Sequence, residues 1–200
     1  MLKEINGYLG EVSDLVRKVD SDAVARVLDV IYDAYKKDRT IFIFGNGGGA
    51  ATAIHLACDL AKGMVGWGPK RLKALSLSDN ISLITAWAND TDYNNTFGEQ
   101  LRNFVQPGDV VLALSGSGHS PNVINGLKVA AEADAIGILF SGFDGGKAKK
   151  EAKLTVLVPS DNMQQIEDVH LILSHIIMHC LKERLKEDYP DLAAKMTGKC

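Results

Sequence analysis

Apolar positions over residues 2–37 recur at helical spacing, at Ile5, Leu9, Val12, Leu15 and Val16, then at Val24, Val27, Leu28, Val30, Ile31 and Tyr35. The spacing predicts two amphipathic helices. Asp20, Ser21 and Asp22 interrupt the pattern and supply an N-cap between them. Ile41, Phe42, Ile43 and Phe44 then form an unbroken apolar run suited to a strand covered on both faces. From there the periods alternate. Helices are predicted over residues 50–62, 81–87, 93–104, 122–132 and 166–185, with a short one near Lys147. Strands are predicted over residues 72–77, 110–114, 135–140 and 154–158. Strands separated by helices predict a three-layer, doubly wound α/β fold around a parallel five-stranded sheet, with a helical arm in front. The arm has little core of its own, so its apolar face is expected to meet another subunit.

Two hundred residues suit one α/β domain over 1–200, with residues 1–37 as the arm and 186–200 as a polar tail that contains Pro190. The 46% hydrophobic and 24% charged content is ordinary for a globular chain. A net charge of -3 with scattered basic residues offers no stripe for a nucleic-acid backbone, so nucleic acid is not an expected partner. Cys58, Cys180 and Cys200 form no close pair and read as reduced thiols rather than a disulfide framework or a four-cysteine zinc site. The first residues carry acidic groups early and lack the apolar core of a signal peptide, and no run approaches about 18 apolar residues. A cytoplasmic protein with no membrane association is expected.

Two strand-to-helix loops carry the candidate chemistry. Gly45, Asn46, Gly47, Gly48 and Gly49 follow the first strand and let backbone amides approach an anion at a helix N-terminus. The run lacks both the GxGxxG spacing and a terminal Lys-Ser/Thr, so neither common nucleotide fingerprint applies. After Leu114 comes Ser115-Gly116-Ser117-Gly118-His119-Ser120, where three hydroxyls and two glycines have the composition of a phosphate cradle. A bare turn and a serine-rich cap are the bland alternatives. Both loops fall at strand carboxyl ends, where ligands bind in such sheets.

His55 and Asp59 stand four apart on one helix face, and Glu167 and His175 are eight apart, an offset of about 80°. Two imidazoles and two carboxylates suit a zinc-type ion or a metal-free acid/base pair. His119, His170 and His179 read as satisfied core or interface residues.

Taken together, GNGGGAATAIH, Ala88-Asn89-Asp90, SGSGHS, GFDGGK and IEDVHLILSH resemble the sugar isomerase (SIS) family, a flavodoxin-like fold, and within it the phosphoheptose isomerases. The resemblance runs from about Met1 to Leu185. It implies substrate contacts at Asn46, Gly47, Gly48, Asp59, Asn89, Asp90, Ser115, Gly116, Ser117, Ser120 and Glu167. It also implies one zinc per subunit at His55, Asp59, Glu167 and His175, with Asp59 and His175 as catalytic pair. The activity implied is interconversion of sedoheptulose 7-phosphate and D-glycero-D-manno-heptose 7-phosphate through an enediol, in a homotetramer with sites at subunit boundaries. A non-catalytic adaptor of the replication initiator and a sugar-phosphate sensor are the other roles this branch suggests; adaptors lack the histidine at position 175.

The chain departs from the family pattern at Asp59, where Glu is usual, at Glu167, where Gln is usual, and at Gly116 and His119, where Thr and Asn are usual. The family's serine after GNGG is Gly49, and an aspartate often stands near Gln164. An aspartate is one methylene shorter than a glutamate, so position 59 would reach about 1.5 Å less far unless its helix shifts.

Overall fold

In the computed structural model, which describes residues 1–196, helices α1 (Leu2–Lys18) and α2 (Ser21–Lys36) precede the first strand. They meet at Asp20, whose carboxylate accepts from the amides of Asp22 and Ala23 and satisfies donors that a helix start leaves open. Strands β1 (Thr40–Gly45), β2 (Lys73–Ser76), β3 (Val110–Ser115), β4 (Ile136–Ser141) and β5 (Leu154–Leu157) pair in parallel in the order β2-β1-β3-β4-β5. Helices α3 (Gly48–Cys58), α4 (Ile81–Asp90), α5 (Thr96–Arg102), α6 (Pro121–Glu132), α7 (Met163–Asp188) and α8 (Pro190–Ala194) complete the described chain.

Continuous apolar strands are explained by the two cores they separate. Ile41, Ile43, Leu112, Leu114, Ile138 and Phe140 pack with Ile31, Leu56 and Leu173 of α2, α3 and α7. The alternate residues Phe42, Phe44, Val111, Ala113 and Leu139 pack with Phe97, Leu101, Val123 and Leu127 of α5 and α6. The Phe44 and Phe97 rings stack at 4.7 Å between centroids. In β1, β3 and β4, covered on both faces, side-chain alternation selects which core a residue joins rather than whether it is buried, whereas at the edge strand β2 it leaves Lys73 and Leu75 exposed.

Strand order reverses at β1 and β3. Phe44 lies opposite Ala113 and Gly45 opposite Leu114, so the two strands end level with one another. Their outgoing loops therefore share the crevice in which α/β sheets hold ligands.

Several boundaries differ from the periodic pattern. The helix expected over 50–62 starts at Gly48 and is α-helical only to Cys58; Asp59–Gly63 forms one π-helical turn. The helix expected over 93–104 is a 3₁₀ turn (Tyr93–Asn95) followed by α5, and the one near Lys147 is a single 3₁₀ turn (Ala148–Lys150). Asn162 caps α7 through the amides of Gln164 and Gln165, which moves its start ahead of Ile166. Lys186 belongs to the last turn of α7, whereas the end of the expected tail, Cys200 included, lies outside the described residues. Tyr8 donates to Asp168 at 2.6 Å and Gln165 to Glu11 at 2.6 Å, which ties α1 to the start of α7. Leu2, Ile5 and Leu9 on the outer part of α1 stay exposed. Among the described residues, no helix is long and apolar enough to cross a membrane.

Candidate active site

The glycine-rich run is mostly absorbed into the elements it joins. Gly45 ends β1 and Gly48 opens α3, so only Asn46 and Gly47 remain as turn. A Cβ on Gly45 would stand 2.7 Å from the Leu114 carbonyl oxygen, so the close approach of the two strand ends requires glycine there. The Asn46 side chain is held on two sides. It exchanges two hydrogen bonds of 2.9 Å with Asn122, which lies in the first turn of α6, and its Oδ1 also accepts from Tyr93 Oη at 2.9 Å. The first loop is thereby fastened to the second.

In the second loop the carbonyls are tied backwards. Ser141 Oγ donates to Ser115 O at 2.6 Å, Gly142 N to Gly116 O at 2.8 Å, and Gly118 N to Ser115 O at 3.1 Å. Ser120 is the N-cap of α6, its hydroxyl makes no capping bond, and Pro121 follows at the first helical position. A helix start with a free hydroxyl and a proline-fixed first turn favours an anion. A cavity of about 210 Å³ opens here. Asn46, Gly47, Gly49, Ser115, Gly116, Ser117 and Ser120 line it from the loops, and Met163, Glu167 and His170 from α7.

A second group of candidates meets on the other half of α3. The Nε2 atoms of His55 and His175 are 3.1 Å apart, and Asp59 Oδ2 lies 3.3 Å from the first and 4.0 Å from the second. One ligand atom from each lies within 4.8 Å of the others, a cluster that can hold a metal ion. The donor set fits a zinc-type ion: bonds of about 2.0–2.1 Å to nitrogen and oxygen at tetrahedral angles place ligand atoms about 3.3 Å apart. Three protein ligands leave one position open, the pattern of a catalytic rather than structural site. The shorter aspartate reaches the group from the first residue of the π-helical turn, a backbone irregularity found often at functional sites.

Glu167 does not join this cluster. Its carboxylate lies flat against Gly48, so close that a Cβ there would overlap it, at the N-terminal end of α3 where negative charge is favoured. Asn89 and Asp90 also stand apart. They close α4, are exposed, and bond to each other at 2.8 Å rather than facing the cavity. Helix α4 buries no residue within its own chain.

Two of the three remaining histidines are not core residues. His119 is exposed, with Nδ1 2.7 Å from Ser117 O, and His179 is exposed on α7. His170 is buried as expected but is not satisfied: Nε2 has no hydrogen-bond partner. Burial pushes its pKa down to about 4, offset only in part by the Ser141 backbone, so the ring is neutral at pH 7. Met163, Asn122 and Tyr93 carry no motif of their own. The one hint in the sequence was Gly116: a Cβ there would overlap the Met163 sulfur, which fills the space over the glycine.

The SIS domain family model matches residues 7–142. Phosphoheptose isomerase of Aquifex aeolicus is 34% identical over 186 residues, covering 93% of this chain and 97% of its own. A probable phosphoheptose isomerase of Thermoplasma acidophilum is 36% identical over 177 residues, covering 88% and 97%. The chain belongs to the SIS-domain phosphoheptose isomerase family. It is a sugar-phosphate isomerase, and the solved phosphoheptose isomerase GmhA from Neisseria gonorrhoeae is similar to it with a TM-score of 0.84 and 29% identity, over 92% of this chain and 100% of that one. The parallel sheet, its flanking helices and the N-terminal helices are thus features of the family's fold.

Proposed function

We propose that the chain interconverts sedoheptulose 7-phosphate and D-glycero-D-manno-heptose 7-phosphate. The observation that carries this reading is the pairing of an anion-favouring cavity at the β1/β3 switch point with a group made of His55 on α3, Asp59 on the π-helical turn that continues it and His175 on α7. His55 follows Gly48 by seven residues, about 10 Å along α3. That span suits a sugar of several carbons held by its phosphate at one end and reacted at the other.

In this reading Ser115, Ser117 and Ser120, with the Gly116 amide and the α6 N-terminus, hold the phosphate. Asn46, Gly47, Gly48 and Glu167 line the sugar's path. Asp59 removes the proton from the hydroxyl-bearing carbon beside the carbonyl and returns it to the former carbonyl carbon, while His175 moves the proton between the two oxygens. The carbon skeleton and overall oxidation state are unchanged. Such acid/base work contributes about 10² to 10⁴-fold. A zinc ion held by His55, Asp59 and His175, with its fourth position left open to the substrate, would polarise the carbonyl when bound.

Asn89 and Asp90 complete the reading only across a subunit boundary, which we assign to a homotetramer. The exposed apolar side chains of α1 and the absence of buried residues on α4 support that assignment. We place the protein in the cytoplasm with a small phosphorylated sugar as its partner. Retention of both His55 and His175 favours an enzyme over an adaptor or sensor.

Incubating the protein with sedoheptulose 7-phosphate, with and without zinc and with a chelator, tests the reading. Aldose formation that tracks bound metal is the expected result. Sugar-phosphate binding with no product under any metal condition would leave the sensor in its place.

A further inference from the structure

Every polar side-chain atom that is fully buried in a described, non-exposed residue has a hydrogen-bond partner except Nε2 of His170. The residue is 1% exposed and forms part of the α7 wall of the cavity between the two loops. Glu167 stands one turn earlier on the same wall. An unpaired buried nitrogen carries a desolvation cost that a leucine or methionine at the same place would not. His170 lines the ligand cavity while Nε2 itself is covered in the ligand-free chain, so a bound group that reaches the nitrogen as the wall adjusts gives that cost a use.

We propose that a sugar hydroxyl of the substrate completes the hydrogen bonding of His170 Nε2 and that this contact sets which sugar the cavity accepts. The inference rests on the sugar-phosphate reading above. Three observations select a hydroxyl over the phosphate. The ring is held neutral by its burial, so it offers no charge to a phosphate. The loop hydroxyls and the α6 N-terminus already supply donors for an anion. A hydroxyl both donates and accepts, so it satisfies whichever tautomer the Ser141 backbone favours. The phosphate and the sugar would then be read by different parts of one cavity, the phosphate by loops and the sugar by α7. Discrimination is expected to be strong, because a site built to pair with a hydroxyl rejects an analogue that lacks it by leaving its own group unpaired.

The test compares the parent chain with H170L and H170Q by calorimetric binding of sedoheptulose 7-phosphate and of inorganic phosphate. Thermal unfolding without ligand accompanies it. H170L is expected to fold at least as stably as the parent, because it removes an unpaired buried nitrogen. Its affinity for the sugar phosphate should fall about tenfold, the worth of one hydrogen bond, with phosphate affinity unchanged. H170Q, which carries an amide nitrogen near the position of Nε2, should recover affinity to within about threefold. Equal sugar-phosphate binding by parent and H170L overturns the inference, since a permanently bound water or an inert core position would behave that way. Equal losses for sugar phosphate and inorganic phosphate overturn it too. Binding is read independently of turnover: a parent chain that binds the sugar phosphate without isomerising it refutes the enzymatic reading and leaves the His170 comparison intact.

Discussion

Nε2 of His175 lies 3.1 Å from Nε2 of His55, across 120 residues of chain. The rings cross at 62° with centroids 5.1 Å apart, so both nitrogens turn toward one point beside Asp59 Oδ2. The residues come from α3 and α7, which pack against each other on one face of the sheet. Nothing in the core needs this pair: both side chains are about half exposed.

Replacing His175 by alanine is therefore expected to cut turnover by about 10² to 10⁴-fold without loss of fold. Zinc content per chain should fall with it. Far-UV circular dichroism, metal analysis and initial rates check the three parts, and a variant with the parent's turnover number would remove His175 from the chemistry.

Glycines around the second loop differ in what they tolerate. Gly118 has φ +65°, and a Cβ on it would overlap the Gly145 backbone, which cannot move aside as a side chain can. Gly118→Ala should cost more than about 2 kcal/mol in urea unfolding. Gly47 has φ +54° with ψ -123°, outside the left-handed helical well, but open space around it, so Gly47→Ala should cost about 1–3 kcal/mol of backbone strain with no overlap added to it. Equal costs at the two positions would mean that the contact with Gly145 does not matter.

The fold was largely legible because the central strands are covered on both faces: continuous apolar runs marked β1, β3 and β4, the edge strands β2 and β5 were marked by shorter mixed runs, and 3.6-residue periodicity marked the helices between them. The two loops were legible from glycine and serine, and helical spacing paired His55 with Asp59 and Glu167 with His175; that His175 stands beside His55 was implied only by the family resemblance. Glu167 was legible only as a residue on the right helix. An 80° offset over eight residues does not say that its carboxylate settles on Gly48 rather than beside the imidazoles. The unpaired nitrogen of His170 was not legible at all, since an apolar helix surrounding a histidine looks the same whether or not a partner waits across a cavity. The π-helical turn at Asp59 escaped for a similar reason, because its composition is that of an ordinary helix.

The reciprocal amide pair between Asn46 and Asn122 carries a further expectation. Asn122 is buried and also donates toward Thr96 Oγ1 at 3.4 Å. Asn122→Ala strands the Asn46 amide and should cost about 1–3 kcal/mol of stability. Because the pair fastens the first loop to α6, KM for the sugar phosphate should rise as well. Asn46→Ala/Asn122→Ala together should cost less than the sum of the single changes, a coupling that a double-mutant cycle measures directly.

His170 makes the stability of the ligand-free chain depend on pH in a definite direction. Its pKa is about 4 in the fold against 6.5 as the ordinary value. The unfolded chain takes up a proton as pH falls through 6.5, whereas the folded chain resists until about 4, so acid favours unfolding across that window. The stabilisation is full above pH 6.5 and is lost progressively toward pH 4. At about 1.36 kcal/mol per unit, the group alone accounts for about 3 kcal/mol between those limits. H170L lacks the titrating ring and should lose less stability over the same range. Urea unfolding of parent and variant at pH 7, 5.5 and 4, with chelator in both, isolates the effect, because all other groups cancel in the difference. The gap between them should grow in the variant's favour as pH falls; a gap independent of pH would mean that the folded chain does not exclude the proton from His170.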